Sequence, residues 1–189
     1  MIKPLIALAL AAVSLAVAAA STTPARRVVI APVQVAFDKN WLGDMNDSRT
    51  RPNYINAQDA RRIADDMAAS LASALDEAVR ARGFEVVTAP AGDALQLSTR
   101  IDDLYVNAPD ITAPGINRNF VREAGRVTLR AEGRDASGTV RVQTERKAAA
   151  GDTGQLQRTS DVANRFWFDS LFKAWAKEVA AELGEKPSR

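Results

Sequence analysis

The stretch from Ala57 to Arg82 constrains this chain more than any other. Ala60, Ile63, Ala64, Met67, Ala68, Leu71, Leu75, Ala78 and Val79 recur three and four apart, which puts them on one stripe of a helix. Asn56 stands before it as an N-cap with Asp59 at the third helical position, and Gly83 follows as a left-handed terminator. On the polar side Arg61/Asp65, Arg62/Asp66 and Asp76/Arg80 fall four apart, the spacing of helical ion pairs. A helix with a single apolar stripe must be laid on another apolar surface, and segments of period two elsewhere in the chain supply one.

Val28 to Phe37 reads as the first strand, with Val29, Ala31, Val33, Val35 and Phe37 on one face. Pro32 removes a ladder donor and predicts an unpaired or bulged position there. Phe84 to Thr88 is a short strand. Leu95, Leu97 and Ile101 alternate with polar residues, then the parity switches at Leu104 and Val106, which predicts a bulge near Asp102-Asp103. Gly125 to Lys147 reads as a hairpin turning at Asp135-Ala136-Ser137-Gly138, with Val127, Leu129 and Ala131 inward and Arg126, Thr128, Arg130, Glu132 and Arg134 outward. Pairing Arg134 with Thr139 sets Glu132 against Arg141 and Thr128 against Glu145.

A last helix from Asp161 to Leu183 carries the stripe Phe168, Leu171, Phe172, Trp175, Val179 and Leu183, and Gly184 ends it. Phe166 and Trp167 stand beside that stripe, with Trp167 expected at the surface. Asp38–Asn56 and Asn107–Ala124 read as long loops, and residues 148–159 as a small polar linker. The order β-α-β-β-β-β-α predicts an α/β (α+β) fold: a five-stranded, mostly antiparallel sheet with two helices packed on one face. Strand order stays open.

The chain of 189 residues begins Met1-Ile2-Lys3-Pro4, followed by an apolar run from Leu5 to Ala20 broken only by Ser14. One positive charge, a short apolar stretch and Ala18-Ala19-Ala20 before Ser21 is the layout of a secretory signal. The run is alanine-rich and short of the roughly 20 strongly apolar residues of a membrane span. No cysteine follows it to carry a lipid. The expectation is a signal peptide over 1–20 and a single α/β domain over 21–189, periplasmic or secreted after cleavage, with no stable membrane anchor.

Residues that are missing narrow the chemistry. The chain has no histidine, hence no imidazole base or zinc ligand, and no cysteine, hence no thiol catalysis or disulfide. With Lys3 removed the 25 basic residues become 24, against 23 acidic ones, so charge gives no ground for nucleic-acid binding. Asp102-Asp103 are adjacent on a strand and point to opposite faces unless a bulge re-aims one, and Asp65-Asp66 read as solvated helix charges. Asp38 to Asp44 superficially resembles a calcium loop, but Leu42 and Arg49 stand where ligands are needed. Asn46-Asp47-Ser48 meets the glycosylation sequon. No phosphate loop or nucleophile elbow occurs. Catalytic residues, metal and cofactors are therefore expected to be none.

The two long loops remain as candidate binding elements, since long connections often carry function. The first offers Trp41, Arg49, Arg51 and Tyr54, and the second Arg118, Phe120 and Arg122 together with Asn117 and Asn119. Aromatic and arginine side chains are the usual interface anchors. The bland alternative is that the aromatics pin the loops to the core.

Val29-Ile30-Ala31-Pro32-Val33-Gln34-Val35-Ala36-Phe37-Asp38-Lys39-Asn40-Trp41, the long helix, Gly83-Phe84-Glu85-Val86-Val87, Asp93-Ala94-Leu95-Gln96-Leu97 and Ile101-Asp102-Asp103-Leu104 together resemble a group of proteobacterial envelope proteins known as domain of unknown function 3313. The resemblance covers roughly residues 25–147. Many members look like lipoproteins, and this chain departs by lacking the lipid-bearing cysteine. The resemblance implies no catalytic residue. The element order is also similar to small periplasmic α/β domains such as the amino-terminal domain of TolB, which bind other envelope proteins.

These observations lead to an exported, non-enzymatic binding or adaptor protein, with an envelope protein or cell-wall component as partner. Two further readings stay in view. A small-ligand carrier requires an apolar pocket of several hundred cubic ångströms between helices and sheet. A carboxylate-dependent hydrolase acting on envelope glycans requires two carboxylates about 5–10 Å apart in a cleft.

Overall fold

The computed structural model describes residues 26–47, 54–89, 92–107, 119–121, 124–151, 157–159 and 161–184. The segment read as a signal peptide lies outside them, as do Arg49, Arg51, Arg118 and Arg122.

The first strand is two. β1 (Arg26–Ile30) and β2 (Gln34–Phe37) both run parallel to β4 (Leu95–Val106), with Val28 opposite Leu95 and Gln34 opposite Arg100. Between them the chain steps out of the ladder at Pro32, which has no N–H to give, while Ala31 still donates to the Leu97 carbonyl at 2.9 Å. The short helix α1 (Trp41–Asp47) follows, where an unstructured loop was expected. Next comes α2 (Ala57–Ala81), with the anticipated capping box: the Asn56 side chain accepts from Asp59 N–H, and the Asp59 carboxylate accepts from Asn56 N–H. Gly83 takes φ 82°, the left-handed value for which glycine suits the site.

β3 (Phe84–Val86) joins the outer side of β1 in parallel. β4 carries the predicted bulge: its pairing with β6 (Gly125–Arg134) shifts between Asp102 and Tyr105, and Asp103 adopts φ 52°. Leu97 and Ile101 face the core before the bulge, and Leu104 and Val106 after it. β6 and β7 (Val140–Ala150) complete the sheet, in the order β3-β1-β4-β6-β7 with β2 also on β4. The antiparallel ladders β4–β6 and β6–β7 pair most of the residues, and the parallel pairs sit at one side.

The hairpin register differs from the expected one. Arg134 lies opposite Val140, the ladder slips again at Gly133, and Arg130 rather than Thr128 faces Glu145. The Asp135 carboxylate causes this by gathering the turn. It accepts from the N–H groups of Ser137 and Thr139, from the Ser137 hydroxyl, and from Arg141. The net slip of two keeps the parity, so the inward and outward sets are as read. Thr128 is outward yet buried, because its hydroxyl donates to the bulged Asp103 at 3.0 Å.

The expected second loop and the polar linker each contain a strand. β5 (Asn119–Val121) and β8 (Gln157–Thr159) pair antiparallel as a separate two-stranded sheet. The last element is α3 (Asp161–Gly184). α2 packs against β1, β2 and β3, α3 against β6 and β7, and the helices pack on each other. The core between helices and sheet buries Leu71, Leu75 and Val79 of α2 and Phe168, Phe172, Trp175 and Val179 of α3. Each such side chain contributes about 1.5–3 kcal/mol by leaving water.

Candidate functional site

Two contacts set the relation of the long helices. Arg165 pairs with Asp66 at 3.3 Å, and the Ser70 hydroxyl donates to the Asp169 carboxylate. Both join residues 99 positions apart, so α2 and α3 run parallel. This corrects the intrahelical pair expected for Asp66, since Arg62 turns instead to Asp59 at 3.6 Å.

Between α2 and α3 lies a groove of about 640 Å³. Ile63, Met67 and Ala74 of α2, Phe168 of α3 and Val106 at the end of β4 supply its apolar part. Arg62, Asp66, Ser70, Ser73 and Glu77 line it from α2, and Asn164, Arg165, Asp169 and Lys173 from α3. The Asn164 amide donates to the Asn107 carbonyl at 2.9 Å, tying the start of α3 to the chain leaving β4. The groove opens where the α2 stripe is incompletely covered. Leu71, Ala74, Leu75, Ala78 and Val79 are buried, whereas Ile63 and Met67 are only half-buried. Sequence reading assigned those two to the core, because periodicity identifies a stripe and not how far along it the cover extends.

Of the candidate loop residues, the side chains of Trp41 and Tyr54 are described, and neither lines the groove. Trp41 is 1% exposed, stacks on Phe37 at 4.2 Å between centroids and donates its indole N–H to the Val106 carbonyl, so it is a core anchor and not a binding residue. Tyr54 is 45% exposed and lies outside the groove lining. Of Phe120 only the backbone is described, opposite Arg158 in the β5–β8 pair. Arg49, Arg51, Arg118 and Arg122 fall outside the described residues. Among the last-helix aromatics Phe166 is the exposed one, at 61%. Trp167, expected at the surface, is half-buried and presses on Gly151, where an added Cβ would lie 2.6 Å from its ring.

The expected bulge re-aims one of the pair, so Asp102 and Asp103 both turn to the outer side of the sheet, the exception under which they do not point to opposite faces. Asp102 is held by Arg100 and Arg130, each at 3.1 Å, and Asp103 accepts from Thr128. Asp38 turns to Arg126 at 3.7 Å, and Asp44 accepts from the Tyr105 hydroxyl at 3.0 Å. Burial, and then that hydrogen bond, push the Tyr105 phenol above its ordinary range. Arg126 lies over the Tyr105 ring at 3.9 Å. No group of three or more acidic side chains converges on a metal position among the described residues. The sequon residue Asn46 is engaged structurally: its amide donates to the Ile55 carbonyl and accepts from the Ile55 N–H.

No family model matches the chain, so the resemblance to the 3313 group gains no support there. No curated protein matches it. Among solved structures it is similar to a minor lipoprotein from Acinetobacter baumannii, at 12% identity over 83% of this chain and 94% of that one, with a TM-score of 0.39. A PelC dodecamer from Paraburkholderia phytofirmans matches at 12% identity over 86% and 88%, TM-score 0.42. A Xanthomonas campestris protein of the uncharacterised family DUF330 matches at 14% identity over 84% of each chain, TM-score 0.40. No helix among the described residues is long and apolar enough to cross a membrane.

Proposed function

We propose that this chain is an exported, non-enzymatic binding protein that engages an envelope component through the α2–α3 groove. The observation that carries the reading is the groove itself, which leaves apolar surface of Ile63 and Met67 beside charges of both signs. Two of its three carboxylates are engaged within the fold. Asp66 is ion-paired to Arg165 and Asp169 accepts from Ser70. Export rests on the layout of Met1 to Ala20.

The carrier reading has one observation in its favour, the volume of about 640 Å³. Against it, nine of the fifteen described lining residues are polar or charged, and ligand pockets are lined predominantly by apolar side chains.

The test is crosslinking of the tagged full-length chain in the cells that make it, followed by mass spectrometry. The expected result is a mature protein beginning at Ser21 in the envelope fraction, crosslinked to one specific component. A protein that keeps Met1 to Ala20 in the cytoplasm, or crosslinks to nothing specific, overturns the proposal.

A further inference from the structure

We infer that β7 is a guarded sheet edge, on which the Arg146–Glu178 ion pair and the charges beside it keep a second copy of this chain from adding its own β7. Neither residue lines the groove, so the inference goes beyond the binding reading above.

β7 ends the sheet order, and one side of its eleven residues has no strand beside it among the described residues. The opposite margin, β3, is only three residues long. A long open row of backbone N–H and C=O groups is a template for another strand. Val140, Val142, Thr144, Ala148 and Ala150 would give such a strand a small, mostly apolar row on the core side.

Arg146 interrupts that row. Side chains alternate along a strand, and with Val142 and Ala150 buried, Arg146 takes a core-side position. It lies opposite Leu129, which lies opposite Ile101, and both of these are fully buried. Arg146 is the only charged residue at a core-side position of β4, β6 or β7. Its Nη1 donates to both carboxylate oxygens of Glu178 on α3, at 2.6 and 2.8 Å. The helix packs on β7, so the pair spans the margin of the core from strand to helix. An added strand would set a core-side residue about 4.5–5.5 Å from Arg146 and strip water from both charges.

The order of charges along β7 works in the same direction. Two copies related by a two-fold axis pair antiparallel about one central residue. Five centres, from Gln143 to Lys147, pair at least seven of the eleven residues. Centring on Thr144 sets Arg141 against Lys147. Centring on Glu145, Arg146 or Lys147 sets that residue against its own counterpart. Like charges directly opposite destabilise a ladder. Centring on Gln143 matches Arg141 with Glu145 but sets Arg146 against Val140. Arg141 and Glu145 are also already engaged, with Asp135 and Arg130.

The experiment uses the chain purified from the cells that make it. It is compared with Arg146→Val/Glu178→Gln, with the milder Arg146→Thr, and with the exchanged pair Arg146→Glu/Glu178→Arg. Sedimentation equilibrium gives self-association, hydrogen exchange at low and high concentration shows which amides become covered, and the melting transition reports folding. The parent and the exchanged pair are expected to show no concentration-dependent protection of residues 140–150. Arg146→Val/Glu178→Gln should self-associate at least about tenfold more strongly, with the new protection confined to 140–150. Arg146→Thr should move the same way by less, and it decides the matter if the double variant does not fold. Protection of 140–150 that rises with concentration in the parent overturns the inference, since the edge is then open to a second copy. Folded variants that associate no more than the parent overturn it too, as does association that covers other segments or that the exchanged pair shares.

Discussion

The indole N–H of Trp41 donates to the carbonyl of Val106 at 3.0 Å, across 65 residues of sequence, and so pins α1 to the end of β4 at the edge of the groove. Trp41→Phe keeps most of the ring contact with Phe37 but leaves a buried carbonyl without its donor. The expected loss is about 1–3 kcal/mol in urea unfolding, with Trp41→Ala near 3–5 kcal/mol. Equal stability of Trp41→Phe and the parent would show that the hydrogen bond contributes nothing.

Gly125 sits where β4, β6 and α3 meet. A Cβ there would fall on the Tyr105 carbonyl and 2.8 Å from the Phe168 ring. Gly125→Ala should cost at least about 3 kcal/mol, because neither the backbone nor a fully buried ring can give way. Gly43 in α1 has open space around it, so Gly43→Ala should be neutral or stabilising by about 0.5–1 kcal/mol. Thermal melts of the two variants check the contrast directly.

Thr99 faces the core at 2% exposure, and its hydroxyl has no hydrogen-bond partner among the described residues. Valine has the same shape without the polar atom. Thr99→Val should therefore raise stability by about 1 kcal/mol, the desolvation cost of an unpaired hydroxyl. A clear loss of stability in chemical denaturation would contradict the assignment of that hydroxyl as unsatisfied.

Asp135 organises the β6–β7 turn. Hydrogen bonds from the Ser137 hydroxyl first, then from Arg141 and two backbone N–H groups, hold its carboxyl at about 2, below the ordinary 3.8. A lowered folded-state value means that the charged form favours the fold, so this contribution is complete above pH about 4 and fades as pH falls toward about 2. Asp135→Asn should melt below the parent at neutral pH, and the two curves should converge between pH about 4 and about 2. A gap that persists unchanged at low pH would assign the effect to turn geometry alone. With no histidine, the melting temperature should stay nearly flat between about pH 6 and 8.

Parts of the molecule were legible because their causes lie within a few residues. The α2 cap and terminator, the β4 bulge and the inward parity of β6 each follow from a local spacing. α1 was not legible, because Trp41-Leu42-Gly43-Asp44-Met45-Asn46-Asp47 is short and poor in helix formers. It is fastened from outside by the Trp41–Val106 bond at one end and the Asn46–Ile55 clamp at the other. The β5–β8 pair was hidden for a similar reason, since each strand is three residues long and its partner lies beyond the whole β6–β7 hairpin.

The sequence by itself determined the two long helices, the main strands β4, β6 and β7 and the apolar faces of these elements, since those periods are properties of the local chain. Only the tertiary structure decided that β1 and β2 enter parallel on one side of β4, and that α2 and α3 lie parallel with Asp66 on Arg165. The groove depends on those long-range choices. A stripe encodes that something must cover it, but whether its own fold covers Ile63 and Met67 depends on where a helix 99 residues away comes to rest.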